Sequence, residues 1–152
     1  MKRILLQLLF LMAVTCGAVA QPLNGSYTVG GTSPDYSTLN AAISALNLRG
    51  VSGPVQFLIR DGSYSGTSWI GSINNITGAS ASSRITFRSQ SGNKANVVIT
   101  DGSSGNYIFR FNNANFITVR DLTLVKNSAS YGRVFDFVST ASNDSVINCV
   151  IQ

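Results

Sequence analysis

Histidine and glutamate are both missing from this chain of 152 residues. Without histidine, neither a Ser-His-Asp nor a Cys-His catalytic arrangement can be assembled. Zinc sites based on histidine are excluded too, and two cysteines, Cys16 and Cys149, are too few for a thiolate cage. Only Cys149 lies outside the N-terminal apolar segment, so no internal disulfide framework is expected and a packed core must hold the fold. Every acidic side chain is an aspartate. Acid–base chemistry therefore falls to Asp35, Asp61, Asp101, Asp121, Asp136 or Asp144, with Lys, Arg or Tyr as helpers. From composition alone, no catalytic, cofactor-binding or metal-ligating set is expected.

The chain opens on Met1-Lys2-Arg3, a short basic start. An apolar run from Ile4 to Val14 follows, broken only by Gln7, and then Ala18-Val19-Ala20. This is the layout of a secretory signal peptide, too short for a permanent membrane anchor. Cleavage is expected before Gln21, placing the product outside the cell or on its surface. A lipid-modified Cys16 is the competing possibility. The residues before it, Ala13, Val14 and Thr15, fit a lipoprotein signal poorly. The mature chain keeps nine Lys and Arg against six Asp, a net charge of +3. Its basic residues are scattered from Arg49 to Arg133 rather than clustered, so nucleic acid is not an expected partner. Roughly 130 residues make one domain.

One helix is legible. Ser37 or Thr38 can cap it, Leu39, Ala42, Ile43 and Leu46 form one apolar stripe, and Gly50 suits the turn that ends it. Ser26 to Val29 reads as a strand. Downstream, apolar residues alternate: Val55, Phe57 and Ile59; Ile85 and Phe87; Val97 and Ile99; Phe109 and Phe111; Ile117 and Val119; Leu122 and Leu124; Phe135 and Phe137. Gly-, Asn- and Ser-rich links such as Asp61-Gly62-Ser63 and Asp101-Gly102 separate them, which reads as all-β. The pattern also repeats. Phe109 and Phe111 recur as Phe135 and Phe137 at an offset of 26, and 117–124 aligns with 144–151 at an offset of 27. A repeat of this length marks a solenoid, whose coils turn apolar residues inward and stack. Asp121 and Asn148 fall in register at a polar corner, where their side chains could hydrogen-bond along the stack.

Asp35-Tyr36-Ser37-Thr38-Leu39-Asn40-Ala41-Ala42-Ile43 resembles the opening of pectinesterase-like and other pectin-lyase-fold proteins. Val55 to Tyr64 and Arg84 to Gly92 look like their following coils, so the resemblance covers most of 25–152. The opening is also similar to large type IX-secreted bacterial surface proteins. The resemblance implies a right-handed parallel β-helix with an N-terminal capping α-helix, and it implies no single activity. In the pectinesterase nucleophile motif, Asp-Phe-Ile/Val-x-Gly, Asp136-Phe137-Val138-Ser139-Thr140 lacks the glycine. Asp136 is therefore expected as a solvated residue between two inward phenylalanines. Arg120 and Asp121 could form a polar pair of the kind polysaccharide lyases use, but one corner aspartate makes a poor calcium site.

Trp69, Tyr64 and Tyr107 could stack on sugar rings or serve as core contacts. Asn75-Ile76-Thr77 is a glycosylation sequon, and Cys149 is expected as an apolar filler. The organisation expected is a signal peptide over 1–20, then the cap and first coils of a β-helix over 21–152. The apolar pattern runs to Ile151 with no polar closing segment, so the chain is expected to be a fragment of a longer protein, open to self-association through its C-terminal end. Two function classes stand. One is a noncatalytic surface, adhesion or glycan-contacting module whose partner is a polysaccharide or cell-surface glycan. The other is the N-terminal part of a carbohydrate-active enzyme, of pectinesterase or polysaccharide-lyase type, with its catalytic coils beyond residue 152. In both, no activity is expected of this chain alone.

Overall fold

The computed structural model describes residues 20–101, 106–128 and 132–152. The expected signal segment, with Cys16, lies outside the described residues except for Ala20. No helix among the described residues is long and apolar enough to cross a membrane.

Among the described residues, strand β1 (Leu23–Val29) and the one α-helix, α1 (Leu39–Arg49), come first. Then follow β2 (Val51–Ile59), β3 (Gly62–Ser65), β4 (Gly71–Asn74), β5 (Ile85–Ser89), β6 (Val97–Asp101) and β7 (Phe109–Asn112). Strands β8 (Ile117–Arg120), β9 (Thr123–Lys126), β10 (Phe135–Val138), β11 (Ser145–Ile147) and β12 (Val150–Ile151) complete the chain. They form three sheets, ordered β1-β2-β5-β8-β11, β3-β6-β9-β12 and β4-β7-β10, with every pairing parallel. From β2 onward, consecutive strands enter different sheets and every third strand returns to the first. Parallel neighbours need a long crossover, and here each crossover is made of the other two sheets. The arrangement is consistent with an all-β parallel solenoid.

The sequence repeat is the strand register. Phe135 pairs with Phe109 and Phe137 with Phe111; Val146 pairs with Val119 and Ile151 with Leu124. The corners repeat with it. Asn113 and Ser139, Phe116 and Asn143, and Asp121 and Asn148 all have positive φ, between 51° and 63°. Asn and Asp tolerate this conformation, whereas Phe116 is unusual in it. Backbone bonds from Ile85 N to Phe116 O and from Phe116 N to Ser142 O hold it, and the Arg84 guanidinium lies 5.9 Å from its ring centroid.

Inside, aromatic rings stack from coil to coil: Phe57 on Phe87 at 4.7 Å, Phe109 on Phe135 at 5.9 Å and Phe111 on Phe137 at 4.8 Å. The inward residues Val55, Ile59, Ile85, Val97, Ile99, Ile117, Val119, Leu122 and Leu124 are fully buried. Phe137, in the outermost of these coils, is the exception to burial. It stacks on Phe111 at 4.8 Å and stays half exposed.

Helix α1 starts at Thr38, whose hydroxyl accepts from Ala41 N at 3.1 Å, and ends at Gly50 with φ 62°. Its Leu39, Ala42, Ile43 and Leu46 are buried, as the stripe predicts. The polar side chains beside that stripe run along the outer edge of β4. Asn40 donates to Ile70 O at 3.1 Å, Asn47 donates to Ser72 O at 2.8 Å, and Asn74 N donates back to the Asn47 oxygen at 2.9 Å. Gly71 permits this approach, because a side chain there would overlap Ile43 Cδ1.

Strands β3 and β4 had no sequence signal. Gly62-Ser63-Tyr64-Ser65 and Gly71-Ser72-Ile73-Asn74 each carry one bulky residue able to face inward, too few to establish a period of two.

Candidate functional site

As the chain leaves the sheet built on β2 and β5, it turns at Arg60-Asp61 in one coil and at Gln90-Ser91 in the next. Because Ile59 and Ser89 are in register, these pairs lie side by side and line a cleft of about 270 Å³. Gln90 N donates to Ile59 O at 2.8 Å, locking the two turns together. Asp61 accepts from Ser91 Oγ at 2.7 Å and from Asn96 Nδ2 at 3.0 Å. Arg60 is held by donating to Thr32 O, and its own carbonyl accepts from the Tyr64 hydroxyl at 2.8 Å. Burial raises the Tyr64 phenol above its usual range, so it stays a donor at any physiological pH.

Beside the cleft, Arg88 and Arg120 pair across β5 and β8. Two like charges on neighbouring strands repel unless compensated. Asp121 supplies the compensation: Arg120 Nε lies 2.7 Å from its Oδ2, and Asn148 Nδ2 donates to its Oδ1 at 2.8 Å. Lys94 Nζ completes the row with a 2.9 Å bond to Asn148. Partial burial works against ionisation of Asp121. Hydrogen bonds from Asn148 and Arg120, with the charges of Arg120 and Arg88, outweigh it and hold the carboxyl below the usual range. The expected Asp121–Asn148 ladder thus exists, and Arg120 and Lys94 join it.

The sequence candidate Asp136 is not solvated. It is 9% exposed and lies 2.7 Å from Arg110 and 3.6 Å from Arg133. Arg110 also covers the Tyr107 ring at 4.3 Å. Trp69 is buried and stacks on Tyr64 at 3.8 Å, so the two rings serve each other and do not form an open sugar platform. Asn75 is exposed at a positive-φ corner, as a sequon on a turn should be. Cys149 is half-buried against the core, its thiol directed at Ile147 O and Val119 O, and burial pushes the thiol pKa up. No group of three or more Cys or Asp suited to a metal ion exists among the described residues.

Two features escaped sequence reading. The cleft depends on register between coils whose spacing is irregular, and nothing local marks it. The second is an ion pair inside the fold: Lys126 Nζ lies 2.7 Å from Asp101 Oδ2, with side-chain exposures of 1% and 0%. Its signal was present. Extending the alternation Val97, Ile99 by one step reaches Asp101, and extending Leu122, Leu124 reaches Lys126. Both charged residues therefore occupy inward positions.

Comparison with the models of known protein families, with characterised proteins and with solved structures finds no match to this chain.

Proposed function

We propose that this chain is an exported, noncatalytic surface module that contacts glycans. In this reading it is a right-handed parallel β-helix whose first coil is capped by α1. The hydrogen bonds of Asn40 and Asn47 along β4, and the burial of Ile43 beside Gly71, support the capping role, since an uncovered sheet edge invites pairing with other chains. The N-terminal signal pattern supports export.

One observation carries the noncatalytic assignment: every aspartate has at least one carboxylate oxygen held in a structural hydrogen bond. Asp35 accepts from Thr28, Asp61 from Ser91 and Asn96, Asp101 from Lys126, Asp121 from Arg120 and Asn148, Asp136 from Arg110, and Asp144 from Ile117 N. Most glycoside hydrolases use two carboxylates facing one bond across a gap. Here each is committed to a different corner or strand. The glycan-contacting role is favoured by the Arg60–Asp61–Gln90–Ser91 cleft. It presents amide, guanidinium and hydroxyl groups on a backbone fixed by cross-coil bonds, which suits the directional hydrogen bonding of sugar hydroxyls.

The test is titration calorimetry of residues 21–152 against a panel of neutral and acidic polysaccharides, repeated with Arg60→Ala and Gln90→Ala. Binding weakened about tenfold, or roughly 1.4 kcal/mol, by either substitution is expected. No retention of any glycan, or binding indifferent to both substitutions, rejects the reading. Turnover of pectin that is lost in Asp136→Asn rejects the noncatalytic part.

A further inference from the structure

We propose that Lys126 and Asp101 condense into an intramolecular isopeptide bond that covalently joins β6 to β9. The two residues are register partners on adjacent parallel strands, 25 positions apart in the chain, and their side chains already meet at 2.7 Å. The backbone is pinned around them: Asn127 N donates to Asp101 O at 2.9 Å, and Lys126 N donates to Gln152 O at 2.8 Å. The reacting groups are thus held in one geometry by the sheet itself, which removes most of the entropic barrier to their reaction.

Burial sets the chemistry. Removing both charges from water is costly, and their mutual attraction repays that cost only in part. Transfer of one proton from the Lys126 ammonium to the Asp101 carboxylate abolishes both charges and leaves an amine beside a carboxylic acid. The amine lone pair then attacks Asp101 Cγ. A C–N bond forms, a C–O bond breaks, and the departing hydroxyl leaves with a proton from the nitrogen as one water. Nothing is oxidised or reduced, and no co-reactant is needed. The product amide is neutral, fits a buried site better than the ion pair, and is shielded from hydrolysis by the same exclusion of water. Both residues lie inside the fold and not on a polar corner, where an ordinary ion pair would serve at less desolvation cost. A cross-link there would bind two successive coils covalently, where the one described cysteine, Cys149, is free and forms no disulfide.

The experiment is intact-mass spectrometry of the folded, purified protein, followed by tryptic mapping. The expected result is a mass lower by one water than the processed sequence requires. The peptide containing Asp101 should be joined to the one containing Lys126, and trypsin should fail to cut after Lys126. Lys126→Arg keeps the charge but should restore the full mass. Asp101→Asn should give the same cross-linked product as the wild type, with ammonia as the leaving group. Asp101 precedes Gly102, so a succinimide at that step would also lose one water. A water loss confined to the Asp101 peptide and opened by hydroxylamine would overturn the proposal. So would a wild-type protein of full mass that is cleaved normally after Lys126. Because the wild type alone decides these outcomes, the proposal stays testable even if a variant fails to fold.

Discussion

The two ends of the stack differ in what lies over their outermost strands. At the β4 edge, helix α1 supplies both an apolar face and hydrogen-bonding side chains. Ile43 packs where Gly71 leaves room, and Asn40 and Asn47 occupy polar groups that a neighbouring strand would otherwise take. At the edge formed by β10, β11 and β12, Phe137 is 51% exposed and Ile151 is 56% exposed. Both edges come from the same kind of coil. The comparison shows that an inward-facing residue in a solenoid owes its burial to the next layer as much as to its own strand: Phe111 and Phe137 occupy the same register position, yet one is buried and the other half exposed.

Breaking the covered end should produce the largest effect. Ile43→Asp places an unpaired charge between α1 and β4 and should cost ~3–5 kcal/mol. Urea unfolding of residues 21–152 reads it directly, and a midpoint within error of the wild type would mean that α1 contributes nothing to the edge. A core comparison sharpens the point. Phe87→Ala removes a ring stacked on Phe57 and should also cost ~3–5 kcal/mol. Phe137→Ala removes a half-exposed ring and should cost less than half as much. Equal losses would show that the outer layer is as well packed as the inner one.

How much of this was legible in advance depended on regularity. The helix, its Thr38 and Gly50 ends and its buried stripe followed from local chemistry, because a helix carries its whole signal within eleven residues. The strands from β7 to β12 were legible because their offsets hold at 26 and 27, so the sequence repeats where the structure does. The earlier coils are spaced irregularly: β4 and β7 stand 38 residues apart, while β3 and β6 stand 35 apart. Insertions in the links hide the repeat, and β3 and β4 disappeared with it. The same irregularity hid the Arg60–Gln90 cleft. Asp136 is buried rather than solvated because alternation places a side chain outward but cannot show that Arg110, its register partner on β7, covers it.

A smaller effect is expected from the polar half of the helix contact. Asn47→Ala removes the donor to Ser72 O and the acceptor for Asn74 N. The site is exposed and water can take over both groups, so the net cost should be ~0.5–1.5 kcal/mol. Asn47→Asp keeps the acceptor for Asn74 N and loses only the donor, so it should fall between the wild type and alanine. If Asn47→Ala promotes association of the protein while leaving its monomer stability unchanged, the side chain serves chiefly to block edge pairing.

The smallest effect concerns protons, and it separates two aspartates near the exposed edge. Asp144 accepts from Ile117 N through Oδ1, but its Oδ2 is buried without a hydrogen-bond partner, and burial raises its pKa above the usual value. The folded state therefore keeps the Asp144 proton to higher pH than the unfolded chain does. Stability should fall as pH rises from the unfolded value, about 3.9, through the higher folded one. Asp121 has the opposite sign. Its lowered pKa contributes stability above about pH 3.9 that is lost as pH falls through the folded value. Asp144→Asn keeps the carbonyl that Ile117 N needs and removes the charge. It should raise stability at pH 7 by ~0.5 kcal/mol or less, with no gain once the wild-type Asp144 is protonated. Asp121→Asn should lower stability at pH 7 and converge with the wild type in acid. Chemical denaturation at pH 7 and pH 3 measures both, and a stabilising Asp121→Asn or a destabilising Asp144→Asn at pH 7 would reverse the assignment of which carboxylate the fold favours as an anion.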